Sequence, residues 1–128
     1  MGWTLKRFPS FVSRLKSVTD HFPKSAHSIE KEIDDLPKNW HKGDKYPGFA
    51  PYEIRKIRKG LPEYNIGKRK GLRLIYLCVP EKERIAPILI YWKPQYGAEQ
   101  KIKNMIAEAL RDIAIEMGAH SCNKENPD

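Results

Sequence analysis

Arginine and lysine stabilise negative charge on phosphorus, and a tyrosine or a lysine of lowered pKa beside them can move a proton. This chain crowds such residues together. Between Glu53 and Arg73 stand eight basic residues, Arg55, Lys56, Arg58, Lys59, Lys68, Arg69, Lys70 and Arg73, against only two acidic ones, Glu53 and Glu63. That surplus is most of the formal net charge of +8. Such crowding suits a phosphate backbone, since every neutralised phosphate releases counterions. The plainer account is a solvated strand face. Further on, Tyr91 and Lys93 fall two apart on an extended run, hence on one face, and Tyr96 follows closely. RNA carries its own nucleophile, the 2′-hydroxyl, so a protein that cleaves it has to align the chain, stabilise the phosphorane and assist proton transfer. Arg73, Tyr91, Lys93, Tyr96 and the basic strand holding Lys56 and Arg58 could form such a site; a core role for Tyr91 is equally open.

Other chemistries find little footing. There is no Ser-His-Asp set, no acidic pair in the basic stretch and no glycine loop opening a helix to cradle phosphate. The histidines, His21, His27, His41 and His120, are scattered, and neither a CxxC nor an HExxH motif occurs, so neither a metal nor a cofactor is expected. Two cysteines, Cys78 and Cys122, predict reduced thiols rather than a disulfide framework. The start, MGWTLKRF, lacks the apolar run of a signal peptide, and no apolar segment nears the roughly 20 residues that cross a bilayer. A cytoplasmic protein without a membrane partner is expected.

The elements that must position these residues centre on 67–93, GKRKGLRLIYLCVPEKERIAPILIYWK. Two β-rich runs, 72–79 and 85–92, flank a short charged link, which predicts a hairpin. Arg73 then lies on the face opposite Leu72, Leu74 and Tyr76 and is expected to reach the surface or a site, because a buried unpaired charge is costly. Residues 53–59, EIRKIRK, predict a strand with Lys56 and Arg58 on one face and Ile57 on the other. Upstream, 3–8 reads as a short strand. A helix opens at Pro9 and Ser10, carries Phe11, Leu15, Val18 and Phe22, and stops at Pro23. A second helix over 25–39 turns Ile29, Ile33 and Leu36 inward to make a helix hairpin with the first. Residues 39–52 predict a loop whose Trp40, Tyr46 and Phe49 either pin it to the body or stack on bases. The last helix spans 97–117 and stops at Gly118. The expected fold is α+β. One domain over 1–118 has a small antiparallel, mixed-edge sheet of about four strands, packed by the helix hairpin and the C-terminal helix. A polar, frayed tail over 119–128 follows.

Several of these segments together resemble the RelE/ParE superfamily of bacterial and archaeal type II toxins, most closely its RelE/HigB-like branch. They are TLKRFPSFVSRLKSV, IRKIR, GKRKGLRLIY and ILIYWK with its following helix. The most specific is GKRKGLRLIY, close to a Gly-Lys-x-x-Gly-aromatic-Arg-hydrophobic-hydrophobic-Tyr signature. The resemblance implies a RelE-like fold and a metal-independent endoribonuclease that cuts mRNA in the ribosomal A site. A co-encoded acidic antitoxin would silence it. It implies that Arg73 contacts the scissile phosphate, that Arg73 and Lys93 stabilise the phosphorane and that Tyr91 or Tyr96 assists proton transfer. Lys56, Arg58 and Lys68, with Arg69 and Lys70 beside them, would hold the RNA backbone. The general base stays unassigned. A ParE-like toxin that binds DNA gyrase and an inactive RNA-binding protein are the alternatives.

Overall fold

The computed structural model describes residues 2–125, with side chains through Gly118. It is an α+β fold: β1 (Thr4–Leu5), α1 (Pro9–His21), α2 (Ala26–Asp34), β2 (Asp44–Lys45), β3 (Glu53–Lys59), β4 (Leu72–Val79), β5 (Arg84–Trp92) and α3 (Glu99–Glu125). The five strands form one mixed sheet in the order β1-β5-β4-β3-β2. β1 runs parallel to β5 at one edge, and the other pairs are antiparallel. About four strands were expected; the fifth, β2, lies in the stretch expected to be loop. Its two residues are exposed and charged, so they carry no alternating pattern, and pairing with Lys56 and Arg55 alone makes them a strand.

Alternation in β3, β4 and β5 divides the core in two. Ile57, Leu72, Leu74, Tyr76, Cys78, Ile85 and Ile90 pack with Phe11, Leu15 and Phe22 of the α1 region and with Ile29, Ile33 and Leu36 from α2 and the turn after it. Ile54, Ile75, Leu89 and Tyr91 pack with Ile102, Ile106, Ala109 and Ile113 of α3. Each face of the sheet therefore has its own helical cover. A bulge interrupts the β4–β5 register between Ile75 and Tyr76, opposite Pro87, which has no N–H to give to a ladder.

The helix ends depart from expectation for local reasons. Pro9 sits in the first turn of α1, but Phe8 is the N-cap. Ser10 instead uses its hydroxyl and its main-chain N–H to hold Glu116 of α3, each at 3.0 Å. With Arg14 on Asp112 at 2.9 Å, these contacts tie together the helices of the two faces. α2 ends at Asp34 rather than near Asn39, because Pro37 removes a donor and disfavours a helical residue before it. The chain leaves through short turns, such as Leu36 N–H to Ile33 C=O and Lys38 N–H to Asp35 C=O. β1 is likewise two residues long instead of six, limited by the β5 partners Arg84 and Ile85. α3 runs through Gly118 to Glu125; the side chains of the expected tail, 119–128, lie outside the described residues. Among the described residues no helix is long and apolar enough to cross a membrane, and no group of three or more His, Cys, Asp or Glu could hold a metal ion.

Candidate functional site

The register of the three central strands lays a row across the α3-covered side of the sheet. Arg58 of β3 pairs with Arg73 of β4, and Arg73 pairs with Tyr91 of β5. Lys56 stands two residues from Arg58 on the same strand face, opposite Ile75. Strand alternation alone turns these four side chains the same way, and antiparallel pairing sets them side by side.

Arg73 is buried, with 4% of its surface exposed, and among the described residues no carboxylate lies within ion-pair distance of it. Of the two destinations expected from the sequence, a site or the surface, the open surface is excluded, and the side chain lies within the row. Main-chain oxygens satisfy the guanidinium: Nη1 donates to the carbonyls of Lys68 at 2.8 Å and Leu72 at 3.2 Å, and Nη2 to that of Arg69 at 3.0 Å. A planar fork of donors suits this task. Burial, and then Arg58 nearby, lowers its proton affinity from the ordinary value. Its second effect is on shape. Lys68, Arg69 and Lys70 occupy a short, exposed helical turn whose carbonyls Arg73 grips, so their cationic side chains project from an anchored backbone.

Lys56 is half-buried, with Nζ 5.4 Å from the centre of the Tyr46 ring. Burial lowers its proton affinity first, and Arg58 and Arg73 lower it further, while Glu99 and Asp44 act the other way. Arg58 is exposed and meets Asp44 of the edge strand at 3.1 Å. Together with Lys42, Lys59 and Lys68 it lines an open cleft of about 350 Å³, to which Glu32 adds one carboxylate. Arg55, on the other sheet face, is occupied elsewhere: it pairs with Glu53 and donates to the Gly43 carbonyl, each at 2.7 Å.

Tyr91 is buried, and burial pushes its phenol from 10.0 to about 12; Arg73 and Arg58 pull it down and Glu99 pushes it up. Near neutral pH it is therefore a proton donor and not a base. Tyr96 meets it edge to face at 5.7 Å. Lys93 belongs to the turn after β5, not to the strand, and its N–H donates to the Gly71 carbonyl at 2.9 Å. The main chain thus brings Lys93 beside the basic turn, where Trp92 also donates its indole N–H to the Lys70 carbonyl at 2.9 Å.

Two groups outside the expected site set complete it: Glu99, which the sequence did not single out, and Tyr46, expected only to pin its loop or stack on bases. Tyr46, buried at 7% exposure, directs its hydroxyl onto Glu99 of α3. Glu99 adds the negative charge that Tyr46, Lys56 and Tyr91 all feel. These residues are 53 positions apart, and neither lies in a motif, so no spacing signal could join them. The loop aromatics serve packing: Trp40 stacks on Trp3 at 4.5 Å and Phe49 lies 6.0 Å from Tyr46. His21 packs against Phe22 and Trp92, and His41 against Trp40, so neither belongs to the cationic row.

The buried hydroxyls and thiol predict a sensitivity to alkali. Burial raises Tyr76 and Tyr91 to about 12 from 10.0, and Cys78 to about 12 from 9.0; Tyr46 is raised as well. A group with a raised folded-state pKa contributes stability that is complete below its unfolded value and is lost as the pH climbs to the folded value. The melting temperature should therefore fall between pH 9 and 12, most steeply above 10, and Tyr91→Phe should make the fall shallower. Thermal melts across that range test this.

No protein-family model matches the chain, and neither a curated protein nor a solved structure matches it.

Proposed function

We propose that the chain is a toxin of the RelE/HigB-like kind, with a RelE-like fold, that cleaves mRNA on the ribosome in the cytoplasm and is silenced by an acidic antitoxin. The row of Arg58, Arg73 and Tyr91 with Lys56 beside it supports this reading best, because it sets three cations and a protonated phenol on one face. Of those cations only Arg58 has a carboxylate partner within ion-pair distance among the described residues. In a phosphoryl transfer driven by the 2′-hydroxyl, Lys56 and Arg58 hold the non-bridging oxygens as charge builds on the phosphorane. Tyr91 supplies the proton that the departing 5′-oxygen needs. Lys68, Arg69 and Lys70 bind flanking phosphates from their anchored turn, and Lys93 adds positive charge at its edge. Arg73 acts as a positioning residue, through the carbonyls it grips and the charge it adds to the row. Tyr96 packs on Tyr91 and fixes the plane of its ring.

Mapping 5′ ends on cellular mRNA after tightly controlled expression tests this. The wild type should produce new, in-frame cuts in translated messages. The double variant Lys56→Ala/Arg58→Ala, which removes two partly exposed side chains, should reduce them by about 100-fold. Growth arrest with intact messages would overturn the reading in favour of a protein target such as DNA gyrase. Neither arrest nor cuts would leave an RNA-binding protein without activity.

A further inference from the structure

Resting on that reading, we propose that Glu99 is the general base of the cleavage and that Tyr46 holds it in place. Two carboxylates act on the cationic row, Asp44 and Glu99. Asp44 stands at the sheet edge with its Oδ2 already accepting from the Arg58 guanidinium at 3.1 Å. Glu99 comes from the first turn of α3, the helix that covers this side of the sheet. Its Oε2 accepts the Tyr46 hydroxyl, and among the described residues Oε1 accepts no hydrogen bond.

Tyr46 is itself anchored, because its main-chain N–H donates to the Ile54 carbonyl at 2.7 Å and its ring packs under Lys56. The carboxylate is thereby held by a neutral donor beside the cations that would receive a phosphate. The charged and titratable groups facing it are Tyr46, Lys56 of β3 and Tyr91 of β5. A base oriented by a third group is the usual arrangement for activating a hydroxyl. In the step itself, Glu99 Oε1 takes the proton of the 2′-hydroxyl and the freed oxygen bonds to the adjacent phosphorus. The bond from phosphorus to the 5′-oxygen breaks, and that oxygen takes the Tyr91 proton. The products are a 2′,3′-cyclic phosphate and a 5′-hydroxyl; solvent then takes the proton from Glu99 and returns one to the phenolate of Tyr91.

Single-turnover cleavage of a defined mRNA on programmed ribosomes, with the full chain, tests the assignment. Glu99→Gln keeps an acceptor for Tyr46 and removes only the basicity. It should lower the rate by about 100-fold or more. Glu99→Asp should recover part of that loss. Tyr46→Phe should slow cleavage by about tenfold in the wild-type background and add nothing to the loss in Glu99→Gln. Matching thermal melts show that the variants fold. Cleavage by Glu99→Gln within about threefold of wild type overturns the assignment. So does a large loss in Asp44→Asn with Glu99→Gln unaffected. A wild type that cuts nothing defeats the ribonuclease reading itself, and that outcome is visible without any Glu99 variant.

Discussion

On the ribonuclease reading proposed above, Arg73→Ala is expected to lower mRNA cleavage by roughly 100- to 1,000-fold and to loosen the turn at Lys68–Lys70. Both effects follow from where the guanidinium sits. It is buried, and three carbonyl contacts reach it from Lys68, Arg69 and Leu72. Alanine removes the charge at the centre of the row and releases the carbonyls of Lys68 and Arg69 to water. Lysine is a poor substitute, because a single ammonium cannot reproduce the fork that spans those oxygens. Arg73→Lys should therefore recover only part of the rate. Trypsin reports on the turn directly, since it cuts after lysine and arginine, and Arg73→Ala should be nicked at Lys68–Lys70 faster than wild type. Lost cleavage with unchanged nicking would sink the positioning role and return Arg73 to direct contact with the scissile phosphate.

Gly71→Ala is expected to destabilise the fold by about 4 kcal/mol or more, at the extreme of single substitutions. A Cβ at Gly71 would stand 2.1 Å from the Lys59 carbonyl oxygen, 3.0 Å from that of Gly67 and 3.1 Å from the Gly60 Cα. All three are backbone atoms of the crossing between β3 and β4, and none can rotate aside. The clash falls beside the Lys59–Leu72 pair, one position from the Arg58–Arg73 pair, so the damage reaches the site as well as the core. Gly67→Ala provides the contrast. Nothing lies within 4 Å of its added Cβ, and its stability should stay within about 0.5 kcal/mol of wild type. Urea denaturation of the two variants measures both. A Gly71→Ala chain as stable as Gly67→Ala would show that the crossing opens more readily than its packing implies.

Much of the fold was legible because apolar spacing is a strong signal wherever an element buries one face. Phe11 and Leu15 in α1, Ile29 and Ile33 in α2, and Ile102, Ile106 and Ile113 in α3 point inward as their spacing requires. Alternation placed Lys56 and Arg58 together and Arg73 opposite Leu72, Leu74 and Tyr76, as the register shows. Short elements were less legible. β1 and β2 are two residues each and exist only where β5 and β3 offer them a partner. Of the candidate site, the strand positions could be read locally, whereas the pairing of Tyr46 with Glu99 could not, since it is made by folding α3 over the sheet.

By itself the sequence determined the α+β class, the concentration of positive charge over 53–73 and the strand faces of Lys56, Arg58 and Arg73. These depend on composition and on a period of two, which any extended stretch imposes on its own side chains. Only the tertiary structure decided that Arg58, Arg73 and Tyr91 share one row, that Arg73 is buried and grips the basic turn, and that Glu99 holds the Tyr46 hydroxyl and acts on Lys56. Register, burial and helix cover are relations between segments distant in sequence. They are selected by how two apolar faces close over one sheet, and no local pattern encodes that choice.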